Sequence, residues 1–285
     1  NKQINVLAQS RYYSSEWFVR TQIPLKRTVV EPFEIAPIYD VAGKWYLSCS
    51  SADEVGFAAE YLVGEKLFER AKDPDSALYR AQIIPNVYLP QERKYDDASF
   101  WTQADFVVLT KQAAFVLEVK RRAAYLVVPP RFEFTNVFTT KNAEAFEAVC
   151  EKFGPWSARE LERLGFSSQL SCALRQNETH AYLFSEVCRE YTYEDIYEQT
   201  VFVKPHGFNC GERGFVKNVN VSIASELSDD FIETLEHLCE QLPDIHTQEE
   251  VDAIGSRVLY RYGDLNQKRG IIHKQCLGQR ERRVS

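Results

Sequence analysis

Two charged residues interrupt the apolar run Ala114-Phe-Val-Leu-Glu-Val-Lys120. Read as a strand, the run puts Glu118 and Lys120 on one face and Leu117 and Val119 on the other, because strand side chains alternate. Upstream, Asp105 opens a second apolar run that reaches Leu109, and a short polar turn, Lys111-Gln112, joins the two. If the turn is centred between Lys111 and Gln112, Thr110 faces Ala113 and Asp105 falls directly opposite Glu118. Opposed residues have Cβ atoms roughly 4.5–5.5 Å apart. Two carboxylates so placed repel, and either a divalent cation or a shared proton must compensate. Hard oxygen ligands suit Mg²⁺ or Mn²⁺, and Lys120 adds positive charge on the same face. The plain alternative is a surface hairpin whose Asp105, Glu118 and Lys120 form a structural ion-pair network.

A third acid stands upstream in Gly56-Phe-Ala-Ala-Glu60-Tyr-Leu-Val-Gly64. Helical spacing puts Val63 and Leu67 on the face of Glu60, which predicts a packing-side position for the acid. Glycine costs about 1 kcal/mol in a helix interior. Gly56 and Gly64, one turn on either side, therefore read as space cleared around Glu60.

The order Ala59-Glu60-x-x-Val63, Thr102-Gln-Ala-Asp105, Glu118-Val-Lys120 resembles the NERD (nuclease-related domain) family of the PD-(D/E)XK, restriction-endonuclease-like nucleases. The resemblance covers about Gly56 to Arg122, is faint from Thr200 to Gln241, and does not reach residues 1–50. The core of that family is a helix carrying a Glu followed by a strand hairpin carrying an Asp and Glu-x-Lys. The resemblance implies a metal-dependent nuclease hydrolysing phosphodiester bonds, with DNA the expected substrate. Asp105 and Glu118 then hold Mg²⁺ or Mn²⁺, the Val119 carbonyl adds an oxygen, and Glu60 holds a metal-bound water or a second ion. Lys120 orients the attacking water or stabilises the charge building at phosphorus. The expected catalytic set is Glu60, Asp105, Glu118 and Lys120. Gln103, on the face of Asp105 by alternation, and Arg121 and Arg122, which continue the lysine strand, are expected to contact nucleic acid. The chain departs from the family pattern in three places. Ala104 stands where a Pro precedes the Asp, the hairpin turn has no glycine, and no Asn-Pro-x-x-Gln segment follows the Glu-x-Lys strand. A second reading is a catalytically inactive nuclease-like fold that binds nucleic acid or a protein. A third is an effector gated by a small molecule sensed through residues 123–195.

These residues need elements to position them. Asp53 is a candidate N-cap for a helix over residues 54 to about 71, and residues 83–89 read as a strand ahead of the hairpin. Helices are predicted over 146–153, 158–164, 229–241 and 248–262, and strands over 200–204 and 216–224. Residues 165–200 are mixed. The pattern predicts an α/β (α+β) fold with a restriction-endonuclease-like core, a mixed sheet flanked by helices. Residues 1–50 form an N-terminal β-rich extension, with strands at 33–39 and 44–49 around an Asp40-Val-Ala-Gly43 turn. Residues 51–245 form the nuclease-like domain, with an inserted or divergent helical region about 123–195. Residues 246–285 form a C-terminal helix and a basic tail.

Composition bounds the rest. With 45% hydrophobic and 13% aromatic residues, the chain can bury a sizeable core. A formal charge of -7 argues against non-specific coating of nucleic acid. No apolar run approaches the roughly 20 residues that span a bilayer. Asn1 to Ser10 lacks the features of a signal peptide, so the expected location is cytoplasmic, without membrane contact. Seven cysteines without a Cys-x-x-Cys pair read as reduced thiols. His206 and Cys210 have a zinc-compatible spacing but no second ligand pair, and read as loop residues. The basic run from Lys268 to Arg283 reads as a solvated end or a nucleic-acid-binding tail.

Overall fold

The computed structural model describes residues 51–92, 99–128, 137–151, 157–168, 171–210, 215, 218–225 and 227–262. The expected 1–50 extension and the tail after residue 262 lie outside them. In chain order the elements are α1 (Ser51–Lys72), β1 (Gln82–Glu92), β2 (Ser99–Leu109), β3 (Ala114–Arg121), β4 (Tyr125–Val128) and β5 (Phe138–Thr140). Then come α2 (Ala143–Glu151), α3 (Ala158–Arg163), α4 (Ser171–Val187), β6 (Ile196–Val203), β7 (Gly207–Cys210), β8 (Val219–Ala224), α5 (Asp230–Gln241) and α6 (Gln248–Tyr262).

The main sheet has the order β1-β2-β3-β6-β8. The β1-β2-β3 meander is antiparallel, and β6 and β8 run parallel to β3. The protein is thus of mixed α/β class, with a mixed sheet flanked by helices. Parallel pairing of β3 with β6 requires a crossover, and α4 supplies it. Glu118 lies beside Thr200 in that register. The Asn177 amide of α4 donates to the Val116 carbonyl at 3.1 Å, and His180, one turn on, faces Glu118. Gln199, one residue from Thr200 and so on the other face, donates to the Phe231 carbonyl of α5 at 3.0 Å. Strand alternation therefore puts α4 and α5 on opposite sides of the sheet. Lys66 and Arg70 tie α1 to Asp229 at the start of α5. Arg257 ties α6 to Glu190, just past α4, at 2.6 Å.

Both faces bury apolar side chains. Val63, Leu67 and Phe68 from α1, Phe184 from α4, Phe231 and Leu235 from α5, and Val251 and Val258 from α6 join one core with Ile83, Val107 and Leu117 of the strands. Residues 123–195 contain two kinds of structure. The first is β4 and β5, which β7 from beyond this region completes into a small sheet of order β5-β4-β7; with α2 and α3 it packs a core of its own around Val127, Phe138, Val149, Leu161 and Phe166. The second is α4, which belongs to the main layers. Among the described residues no helix is long and apolar enough to cross a membrane.

The β2–β3 turn is tightly held. The Thr110 amide bonds the Ala113 carbonyl at 2.9 Å, and the Thr110 hydroxyl accepts from the Ala113 amide at 3.0 Å. Lys111 and Gln112 both reach Asp244. The fully buried Tyr191 donates to the Thr110 carbonyl at 2.7 Å. Tyr191→Phe leaves that buried carbonyl without its donor, and should cost about 1–3 kcal/mol. Urea unfolding at unchanged m-value measures it, and a loss within about 0.5 kcal/mol would show that another donor replaces the phenol.

Candidate active site where β2 and β3 part

Asp105 sits where the pairing of β2 is interrupted on both sides. On one side, β1 and β2 pair through Pro85↔Phe106 and resume at Val87↔Ala104, so the ladder skips Asn86 and Asp105. Asn86 has φ 55°, a left-handed conformation that asparagine tolerates better than most residues and that interrupts regular pairing. On the other side, β2 and β3 pair from Leu109↔Ala114 to Phe106↔Leu117. That is the register of the hairpin count, but it ends one step before Asp105 and Glu118. Instead of standing squarely opposite Glu118, Asp105 turns its Oδ2 to the Val119 amide, which donates at 2.7 Å.

The electrostatics are those of acids in excess. Burial, then the charges of Glu118 and Glu60, push the Asp105 carboxyl well above the ordinary carboxylate range. Lys120 and the Val119 amide oppose that rise without cancelling it. Glu118 is 1% exposed, and Lys120 donates to its Oε1. For Lys120, burial is the largest influence and works against its charge. The Glu118 carboxylate and its hydrogen bond, with Asp105 and Glu60, outweigh burial and hold the ammonium above its ordinary range. Glu60 of α1 is half-buried and close enough for its charge to act on both Asp105 and Lys120.

Sequence reasoning missed the residues that α4 brings to this cluster. His180 is fully buried, with its Nδ1 3.3 Å from Glu118 Oε2 and its Nε2 2.8 Å from the Thr102 hydroxyl. Asn177, one turn before, is also fully buried. Glu118 Oε2, His180 Nδ1, Asn177 Oδ1 and Thr200 Oγ1 are buried polar atoms with no hydrogen bond among the described residues. A recurring polar position on one face of α4 was the available signal, with Asn177 and His180 at i and i+3.

Other expectations meet specific contacts. Gly56 clears no space, since a Cβ added there meets nothing within 4 Å; the glycine is not required by a close neighbour. The Gln103 amide donates to Asn86 Oδ1 at 2.6 Å, across to β1. Arg121 donates to the Val203 carbonyl at 2.8 Å and to the Lys204 carbonyl, which fixes its guanidinium at the end of β6. Arg122 is exposed. His206 is exposed and packs beside the Tyr125 ring. Among the described residues no group of three or more His, Cys, Asp or Glu side chains is arranged to hold a metal ion. Cys150, Cys188 and Cys239 are free thiols.

The cluster is thus an acid–lysine site in a mixed α/β protein, set at a break in the pairing of a central sheet. No family model, curated protein or solved structure matches the chain.

Proposed function

We propose that this chain is a metal-dependent nuclease with a restriction-endonuclease-like core, acting on DNA, and that Glu60, Asp105, Glu118 and Lys120 are its working residues. The single observation that carries this reading is the convergence of Asp105, Glu118 and Lys120 at the break in the β2 ladders, with Glu60 acting on them from α1. A helix with a Glu, then a hairpin with Asp and Glu-x-Lys, is also the order that the NERD family presents.

By its chemistry the donor set suits a hard divalent cation, although no three of these side chains are already arranged around one. Carboxylate oxygens dominate it, their charge exceeds that of the one lysine, and Glu118 Oε2 is a buried oxygen with no hydrogen-bond donor among the described residues. Asp105 and Glu118 would hold Mg²⁺ or Mn²⁺, with the Val119 carbonyl and Glu60 contributing oxygen. Such an ion supplies charge neutralisation at phosphorus and acidifies water. The chain's own residues do the rest. Lys120, held cationic by its acids, places fixed positive charge where the phosphorane develops. The Val119 amide orients Asp105, and His180 borders the Glu118 carboxylate on the side away from Lys120.

One observation favours the inactive alternative: Glu118 is 1% exposed and already paired with Lys120, as in a structural ion pair. The two readings part in one assay. Labelled single- and double-stranded DNA and RNA are incubated with protein in Mg²⁺, Mn²⁺ or EDTA. The nuclease reading expects cleavage with either ion and none in EDTA, together with a rise in Tm when Mn²⁺ is added. An unchanged Tm and intact substrates throughout would leave the inactive fold as the answer.

A further inference from the structure

The last residues of β3 lead directly into a cavity of about 370 Å³, lined by Arg121, Arg122, Thr139, Thr140, Lys141 and Ser167 among others. Three cations and three hydroxyls face it, and among the described residues no carboxylate lines it. Part of its wall is fixed in place, while Arg122 and Lys141 are exposed. Arg121 is tied to the Val203 and Lys204 carbonyls. The chain leaving α3 turns back through Gly165 at φ 84°, a conformation that glycine adopts without strain. That turn lets Ser167 and Thr139 exchange both amide–carbonyl bonds, at 2.9 and 2.8 Å. The Thr140 hydroxyl accepts from the Asn142 amide at 3.1 Å. In a chain of net charge -7, a cavity walled by cations and hydroxyls is a local reversal of sign. Guanidinium, ammonium and hydroxyl donors around one space suit phosphate oxygens.

Position narrows the ligand. Arg122 follows Lys120 by two residues, just past the end of β3, and so lies at most about 7 Å along the chain from it. That is the scale of the step between neighbouring phosphates on one nucleic-acid strand. We propose that this cavity seats a backbone phosphate of the substrate strand, next to the phosphate presented to Lys120, and so sets how the strand crosses the acid–lysine cluster. The proposal rests on the nuclease reading for its choice of polynucleotide over free nucleotide.

The test separates the two. Fluorescence anisotropy measures binding of labelled single-stranded DNA and RNA oligonucleotides in EDTA, over a range of salt, for the full chain and three variants. Arg122→Glu and Lys141→Glu lie in the cavity. Arg189→Glu is an exposed control beyond the far end of α4, near Tyr191 and the β2–β3 turn. Each cavity variant should weaken binding by about tenfold or more and lower the salt slope by about one, and the control should do neither. Circular dichroism confirms that the variants are folded. Equal losses in all three variants, or none in the cavity variants, would overturn the proposal. So would labelled ATP that binds the wild type and not Arg122→Glu while oligonucleotide binding is unchanged, since the cavity is then a free-nucleotide site. Binding that depends on Arg122 and Lys141, with no cleavage in Mn²⁺, supports the cavity and sinks the nuclease reading. Cleavage by the wild type that the cavity variants retain in full does the reverse.

Discussion

On the proposed nuclease reading, Lys120→Ala should slow cleavage by about a hundred- to a thousand-fold per folded molecule, equivalent to about 2.7–4 kcal/mol, the cost of losing one preorganised donor at a developing oxyanion. The lysine is firmly kept charged. Its ammonium sits against Glu118, with the charges of Asp105 and Glu60 also acting on it, and these hold its pKa above the ordinary value despite burial. A cation so fixed costs little to reorganise when negative charge grows at phosphorus. The same pairing means that the variant loses stability as well, because Glu118 is buried and loses the cation paired with it. Rate must therefore be measured as single-turnover cleavage at saturating Mn²⁺ and normalised to folded protein by circular dichroism. Asp105→Asn separates the roles further. It removes a carboxylate charge from the crowded group, so it should weaken Mn²⁺ affinity and activity together. If Lys120 serves only as a structural ion pair, both variants are less stable and each folded molecule cleaves at the wild-type rate.

The scaffold of this site was largely legible from the order of residues. Apolar patterning located α1, β1, the hairpin and both C-terminal helices: the helices each turn an apolar face to the core, and the strands are short apolar runs buried on both faces. The two-residue turn at Lys111-Gln112 set the β2–β3 register, because side-chain direction in a strand leaves only even displacements. Two elements were not legible. One was α4, whose inward face carries Asn177 and His180, each fully buried. Polar residues at core positions break the apolar pattern by which a helix is recognised, and here they are the positions that face the acid cluster. The other was the small sheet, whose strands run three or four residues, too few to show a period. The basic cavity is built partly from that sheet, so only its Arg121 and Arg122 wall could be seen in advance. The break at Asn86 was equally hidden: nothing in its type announces a positive φ, yet that conformation helps release Asp105 from the ladder.

Glu198→Gln should make the protein more stable by up to about 3 kcal/mol at pH 8 and leave its stability almost unchanged near pH 4.5. Glu198 lies on β6, two residues before Thr200, on the face that α4 covers. Burial is the main cause of its raised pKa and the nearby charge of Glu178 adds to it, while a hydrogen bond from Tyr193 opposes them; the carboxyl is pushed up from 4.5 to about 7. The folded state thus holds the Glu198 proton more tightly than the unfolded chain does. Below the unfolded value both states carry the proton and the group costs nothing. As pH rises from 4.5 to about 7 the unfolded chain ionises first, and stability is lost progressively. Above about 7 both states are ionised and the loss is complete, about 1.36 kcal/mol for each pH unit that separates the folded from the unfolded pKa. Glutamine keeps the shape and stays neutral, so the variant escapes that loss while its amide oxygen still accepts from Tyr193. Urea unfolding of wild type and variant from pH 4.5 to 8.5 reads the difference, which cancels the titrations common to both. A difference that grows from near zero to a plateau above pH 7 is expected. A difference independent of pH would mean that Glu198 reaches water and ionises in the folded protein as it does in the unfolded chain. Cleavage per folded molecule should be unaltered by the substitution, because Glu198 makes no contact with Asp105, Glu118 or Lys120 among the described residues.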